Sequence, residues 1–389
     1  MRLRSRSMAF GAIVLFILIT GVNVAQDGRR VVLAPESDRY SVYSGAVHVH
    51  SVHSDGSGTL EDIGKVAAAS ELDFVLLTDH STVAGAASGG EGYYGSALVM
   101  VGEEINTSYG HILALGTTRH LEQDGPDGLP KLLNAIESNG GISVVAHPYG
   151  RRDWQDWGLN GLQGLEVFNA DSEWRDDSLW EWARALVWYP ISPVAALNGL
   201  VDYPSESLAR LDQMAASSHV VAVASVDAHA RIPLWGDQFL PFPTYGRMFN
   251  WLRTYVLTDE PLTGNSDHDK QLINSAIAHG RSYSVVEGYG AGHGFSFDYA
   301  DDDTTVTMGG SAVAKSDGRV TVSTGAEEGV LIRLMKGGII AAESRSAEAT
   351  FNVAKPGVYR VEVFQIRRYL PLFQVSERPW IISNPIWLR

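Results

Sequence analysis

The stretch Ala46-Val47-His48-Val49-His50-Ser51-Val52-His53-Ser54-Asp55-Gly56 decides how this chain reads. Ala46 to His50 alternate with the period of a strand. His48 and His50, two apart on that strand, are expected on one face, where two imidazoles can share one metal ion. Ser54-Asp55-Gly56 falls where strand gives way to loop. Leu60 to Ser70 then has a helical pattern, with Thr59 as N-cap and Glu61-Asp62 in its first turn. Phe74 to Thr78 is a short apolar run suited to a strand buried in a parallel sheet.

The same rhythm continues outward from this stretch. Leu98 to Val101 reads as a strand and Leu129 to Ser138 as a helix stopped by Asn139-Gly140-Gly141. Ile142 to Ala146, Leu165 to Phe168 and Val220 to Ser225 are further short strands. Alternating strands and helices imply an α/β fold with a parallel sheet, closed or distorted into a barrel. After about residue 290 the texture changes to short strands punctuated by Gly309-Gly310, Asp317-Gly318, Gly337-Gly338 and Pro356-Gly357, the spacing of an antiparallel β-sandwich. The expected organisation is a lead-in over 26–44, a catalytic domain over 45–290 and an accessory domain over 291–389. Six of the ten Trp lie between 154 and 188. That insertion, about 151–205, reads either as a lid or rim over the site or as a helical excursion with ordinary core aromatics.

Composition narrows the function. The chain has 389 residues, 45% hydrophobic and 19% charged, enough for a sizeable core, and its net charge of -15 repels nucleic-acid backbones. No nucleic-acid partner is expected. With no cysteine, thiolate ligands, Cys nucleophiles and disulfides are excluded; any metal must be held by imidazole and carboxylate, which suits Zn, Mn or Fe. Arg2, Arg4 and Arg6 precede an apolar run from Ala9, and Gly21 to Ala25 offers small residues near a cut, the pattern of an export signal over 1–25. An uncleaved N-terminal anchor is the alternative. The expected location is the periplasm or outside the cell, with no stable membrane span after cleavage.

Almost every expected strand delivers a metal-ligating residue at or near its end. These are His48, His50 and Asp55, then Asp79-His80, Glu103-Glu104, His111, His147-Pro148, and Asp227-Ala228-His229. Active sites of parallel α/β proteins lie at the carboxyl ends of strands, and incidental histidines would not follow that rule. The set points to a metal site.

The pattern His48-x-His50-x4-Asp55-Gly56, Asp79-His80, Gly102-x-Glu104, His147-Pro148 and Asp227-x-His229 resembles the polymerase-and-histidinol-phosphatase (PHP) family over about residues 45–235. The resemblance implies a distorted seven-stranded (β/α) barrel with two or three divalent metals at its C-terminal mouth. It places one metal on His48, His50, Glu104 and Asp227. It places a second on Glu104, His111 and His147, and a third on Asp55, His80 and His229. Glu103 is the alternative to Glu104. The segment ending Arg378-Pro379-Trp380-Ile381-Ile382-Ser383-Asn384-Pro385 is similar to the tail of exported PHP proteins related to carbaryl (carbamate) hydrolases.

Two metals about 3.5–4 Å apart can bridge a water and lower its pKa toward neutrality, so the expected catalyst is a metal-bridging hydroxide held by Glu104. A third metal can stabilise charge on a phosphoryl group. The expected reaction is hydrolysis of a small anionic phosphate ester. A carbamate, amide or carboxylic ester is the alternative substrate, and an envelope- or carbohydrate-binding module with structural metals is the non-catalytic alternative. His53, Arg151 and Arg152 are candidate substrate contacts, or ordinary surface residues. Asp79, Glu166 and Asn169 are candidates to orient ligands. His120, His219, His268, His279 and His293 fit no ligand motif.

Overall fold

A computed structural model describes residues 2–33, 40–150, 153–173, 175, 178–236, 238–372 and 374–389. The molecule is a mixed α/β protein. Its first nine strands are β1 (Ser41–Val49), β2 (Phe74–Leu77), β3 (Gly92–Tyr94), β4 (Ala97–Val101), β5 (Glu103–Thr107), β6 (Gly110–Leu115), β7 (Ile142–Val145), β8 (Gly164–Asn169) and β9 (Val221–Ser225).

These strands divide between two sheets. In one, β3, β4, β2 and β1 lie side by side, with β1, β2 and β4 parallel. In the other, the order is β5-β6-β7-β8-β9. The chain passes from one sheet to the other at Gly102, between β4 and β5. A Cβ at Gly102 would come within 2.8 Å of the Ala114 carbonyl, so only glycine allows the two chain segments to approach this closely. The sheets touch along two seams. Isolated bridges join His80 to Glu104 and Val49 to Ala228. Val47, Leu76 and Met100 from the first sheet share one apolar core with Leu113, Val144 and Val223 from the second, and Ile273 and Ile277 of the helix Ser266–Ala278 close it. The helices Leu60–Ala69, Leu129–Ser138 and Ser205–Ala215 bury their apolar stripes against a second, larger cluster. Thr59 caps the first of these, its hydroxyl accepting from Asp62 N at 3.1 Å while Asp62 accepts from Thr59 N at 3.2 Å.

Two features depart from an all-parallel reading. β5, β6 and β7 pair antiparallel, and β1 pairs antiparallel with Arg253–Thr258. The antiparallel course of β6 matters for function, because it brings the start of that strand, carrying His111, to the same end as the finishes of β1, β7 and β9.

The C-terminal region does not stand apart at residue 290. One antiparallel sheet of four strands (Thr305–Thr307, Phe295–Ala300, Arg319–Thr324, Glu348–Asn352) belongs to it alone. The strand Gln374–Ser383, however, pairs with Ser282–Val285, and through it Gly357–Tyr369 and Ile386–Leu388 extend the first sheet. Asn384 ties the join together: its Oδ1 accepts from Ala222 N at 2.7 Å and its Nδ2 donates to Ala222 O and Ser282 O, both at 2.9 Å. The Trp-rich segment also divides. Trp154 is buried and Trp157 stacks on Tyr149, whereas the helix Leu179–Trp188 packs beside the N-terminal helix Arg2–Asp27.

Candidate metal centre

The nine expected ligands converge at one end of the two sheets, by a route less regular than strand alternation. β1 slips register against β2 between Val47 and Val49, and His48 sits at φ 65°. A bulge, not a plain i, i+2 pleat, therefore aims His48 and His50 together, with ring centroids 5.0 Å apart. His147 at φ 29° and Asp227 at φ 49° are also left-handed. Each such non-glycine residue costs on the order of 1–3 kcal/mol and persists only where its surroundings hold it.

Glu166, on β8, does much of that holding. Its Oε1 lies 2.6 Å from His48 Nδ1, and its Oε2 accepts from His147 N at 2.6 Å and from Asn169 Nδ2 at 2.7 Å. Asn169 Nδ2 also reaches Asp227 Oδ2 at 3.2 Å. With Nδ1 engaged, His48 turns Nε2 to the centre. Asp79 performs the same task for the loop after β1, accepting from Ser51 N (2.7 Å), Ser51 Oγ (2.6 Å) and Ser54 Oγ (2.6 Å). Tyr245, which carries no motif signal, clamps that loop to the far strand end. Its hydroxyl accepts from Ser57 N and Gly58 N and donates to the His50 carbonyl at 2.8 Å, with the His229 carbonyl 3.1 Å away. Gly56 is required here, since a Cβ would lie 2.1 Å from the His50 carbonyl oxygen.

Glu104 is central. Its Oε2 lies 3.2 Å from His48 Nε2, 3.3 Å from His50 Nε2 and 3.1 Å from His80 Nδ1. Its Oε1 lies 2.6 Å from His111 Nδ1 and 3.1 Å from His147 Nε2. Asp227 Oδ1 is 3.4 Å from both His48 Nε2 and His50 Nε2. On the outer side Asp55 Oδ1 is 3.3 Å from His229 Nε2 and 3.5 Å from His50 Nδ1, and Asp55 Oδ2 is 3.7 Å from His80 Nε2. Three overlapping groups result, each with ligand atoms within 4.8 Å of one another: His48, His50 and Glu104; His80, Glu104 and His111; and His50, Asp55, His80 and His229. Ligands about 2.0–2.2 Å from a tetrahedral ion lie about 3.4 Å from one another, and His48 Nε2 and His50 Nε2 each stand 3.2–3.4 Å from the Glu104 and Asp227 oxygens. His80 stands between groups, Nδ1 toward Glu104 and Nε2 toward Asp55, and a neutral imidazole can give its one lone pair to only one of them.

Charge is compensated inside the cluster. Burial opposes ionisation of Glu104, yet His48, His111 and His147 hold its pKa well below the usual carboxylate range. Burial also works against Asp227, which His48, His50 and His229 hold low. Burial disfavours a charged His48, but Asp227, Glu104 and Glu166 push its pKa well up. His50, likewise desolvated, is carried to about 9 by Asp227 and Glu104. The carboxylates thus draw protons onto the imidazoles when no other cation is near. A metal would displace those protons.

The two adjacent glutamates separate cleanly. Glu104 faces the cluster, while Glu103, on the opposite face of β5, bonds His120 Nδ1 and accepts from Leu121 N at 3.1 Å. His53 is exposed and lies outside all three groups. Arg151 and Arg152 lie outside the described residues.

No family profile and no curated protein matches this chain. Among solved structures, a two-domain protein from Bacteroides vulgatus containing a predicted PHP-like metal-dependent phosphoesterase aligns with 91% of this chain and 98% of its own, at 15% identity and a TM-score of 0.42. A protein assigned as a metal-dependent phosphoesterase from Bifidobacterium adolescentis aligns with 53% of this chain and 94% of its own, at 14% identity and a TM-score of 0.28. An amidohydrolase from Chromobacterium violaceum, with bound sulfate and no metal, aligns with 48% and 87%, at 16% identity and a TM-score of 0.30. At that depth of likeness the case for chemistry rests on the site itself.

Proposed function

We propose that this chain is a metal-dependent hydrolase that holds two or three divalent ions, Zn, Mn or Fe, and cleaves a small phosphate ester outside the cytoplasm. One observation carries the reading. His48 Nε2, His50 Nε2, His80 Nδ1 and Glu104 Oε2 are buried without a well-formed hydrogen bond, and each of the three nitrogens lies 3.1–3.3 Å from that Glu104 oxygen. Leaving a buried polar atom unmet costs about 1–3 kcal/mol, and four aimed at one point are a set of lone pairs waiting for a cation.

His48, His50, Glu104 and Asp227 would hold one ion, Glu104 with His111 and His147 a second, and Asp55 with His80 and His229 a third. Bound there, the ions would supply Lewis acidity and a water of lowered pKa. The chain's own residues do the rest. Glu166 fixes the tautomer of His48 and the backbone of His147. Asp79 and Tyr245 hold the Asp55 loop against His229. Asp55, with its side chain 55% exposed, marks the side open to solvent. A cleft of about 150 Å³ beside His147, bordered by Tyr149, Glu166, Asn169 and Tyr203, gives room for a small substrate. The extracytoplasmic location rests on Arg2, Arg4 and Arg6 ahead of the apolar run from Ala9.

The test is elemental analysis of the purified protein together with hydrolysis of p-nitrophenyl phosphate, a naphthyl ester and a naphthyl carbamate, before and after chelation. Two or three ions per chain with chelator-sensitive phosphate release is the expected result. Metal-dependent cleavage of the ester or carbamate alone would replace phosphate as the substrate class. No metal after reconstitution would overturn the reading.

A further inference from the structure

The N-terminal helix Arg2–Asp27 has two faces of unlike character. Thr20, Val24 and Asp27, spaced four and three apart, form a buried stripe. Leu15, Leu18 and Val22, spaced three and four apart and on the opposite side of the helix, form an exposed one.

The buried stripe is fitted to the body by specific polar contacts. Thr20 Oγ1 accepts from Trp188 Nε1 at 3.0 Å. Asn23 Oδ1 accepts from Leu370 N at 2.8 Å and Asn23 Nδ2 donates to Leu370 O at 3.0 Å, satisfying that peptide as a neighbouring strand would. Asp27, fully buried, accepts from Arg184 at 3.1 Å and bonds Tyr369 Oη, while its carbonyl accepts from Asn198 Nδ2 at 2.8 Å. Gly21 lies under the Trp188 indole, where a Cβ would come within 2.7 Å of the ring. A segment destined only for removal needs none of these contacts. A cut after Ala25 would sever the last turn of the helix and discard Thr20, Asn23 and Val24.

The exposed stripe continues onto the helix Leu179–Trp188. Phe16 and Trp180 rings pack with centroids 4.7 Å apart, and Leu179, Trp180 and Leu186 stand open to solvent, Trp180 at 60%. A contiguous exposed apolar face of this kind marks an interaction surface. The charge around it selects the partner. Arg2, Arg4 and Arg6 lie at the start of the same helix, and no acid precedes Asp27 in a chain whose net charge is -15. A basic start, an apolar face and a rim tryptophan are the recipe for lying in the interface of an anionic bilayer. No helix among the described residues is long and apolar enough to cross a membrane.

We propose that the N-terminal helix is retained in the mature protein and that its outer stripe, together with the helix Leu179–Trp188, seats the body on an anionic lipid surface. The partner is the bilayer, not a second copy of the chain.

The experiment uses the full chain, expressed with its N-terminus and metal-loaded. Intact mass of the recovered protein should include residues 1–25, and the protein should float with phosphatidylglycerol vesicles at least ten-fold more than with phosphatidylcholine vesicles. The double variant Leu15→Asp/Leu18→Asp should lose that flotation at least ten-fold with its metal content unchanged. Gly21→Leu, which wedges Trp188 away, should speed proteolytic loss of the helix several-fold. A mature chain beginning at Gln26 would overturn retention. Flotation unaffected by the aspartates, or absent while the chain dimerises through Leu15 and Leu18, would overturn the lipid seat.

Discussion

Two clusters of buried charge in this molecule are built on opposite principles. In one, Arg360 is fully buried and forks onto Asp212, Nε at 2.9 Å and Nη2 at 2.7 Å, while its Nη1 bonds Glu362, which also accepts from Tyr203 Oη at 2.8 Å. Complementary charges meet in a bidentate geometry. In the other, the cluster around Glu104, four buried atoms face one another without a partner, and three of the residues that supply or flank them, His48, His147 and Asp227, hold left-handed backbones. The Arg360 cluster is complete with what the chain provides and joins the Ser205–Ala215 helix to the strand Gly357–Tyr369. The Glu104 cluster, on the proposed reading, would be completed by cations from outside. Buried charge is therefore ambiguous by itself, and the convergence of several unmet atoms on one carboxylate sets the Glu104 cluster apart from the Arg360 strut.

Substitutions should separate the two. Glu104→Ala or Asp227→Ala removes an anion shared by several ligands, so hydrolysis should fall by on the order of a thousandfold with loss of bound metal. Elemental analysis beside turnover checks this, and full activity in either variant would sink the site. Arg360→Ala should do the reverse. It strands Asp212 and Glu362 in the interior, so chemical denaturation should show a loss of about 3–5 kcal/mol, with metal content per folded molecule unchanged. Glu166→Gln, which unseats His48 and His147 without removing a ligand, should weaken metal binding about 10–100-fold; titration against a competing chelator reads it.

Acidity sharpens the contrast without mutation. In chelated protein His50 has its pKa raised from 6.5 to about 9, and His48 is raised as well. The stability these groups contribute is complete below about pH 6.5 and is lost as pH rises toward 9. Glu104 and Asp227, held well below the ordinary carboxylate values of 4.5 and 3.8, contribute above those values and lose that contribution on acidification. Chelated protein should therefore melt at lower temperature as pH goes from 6.5 to 9. Metal-loaded protein should gain stability over the same interval, since its imidazoles must be neutral. Melting curves with the same slope in both forms would contradict the cluster's role. The smallest effect is expected from Glu103→Gln, which faces His120, with turnover within about twofold of the parent.

The ligands at strand ends were legible because strand periodicity and loop onset are local properties. His48, His50 and Asp55 lie in one stretch of eight residues, and His147-Pro148 and Asp227-Ala228-His229 each follow an apolar run. Between Glu103 and Glu104 the Gly102-x-Glu104 pattern favours Glu104 but leaves Glu103 open, because adjacent strand residues point oppositely; the pairing of Glu103 with His120 and Leu121 puts Glu104 on the cluster side. Glu166 and Asn169 were suspected from their place at a strand end. Tyr245 was not, since nothing in a lone tyrosine reports that its hydroxyl will bridge two loops.

The sequence by itself determined which side chains could ligate metal, that sulfur would not be among them, and that the chain alternates strands with helices. Tertiary structure alone decided that the His48 bulge, and not pleat alternation, joins the first two histidines. It also decided that Glu104 faces inward and that the strand Gln374–Ser383 crosses the expected boundary at residue 290 to pair with Ser282–Val285. The division has one physical cause. Hydrophobic period and chemical identity are carried by neighbours in the chain, whereas convergence of lone pairs and pairing of strands about one hundred residues apart depend on contacts that exist only once the core has formed.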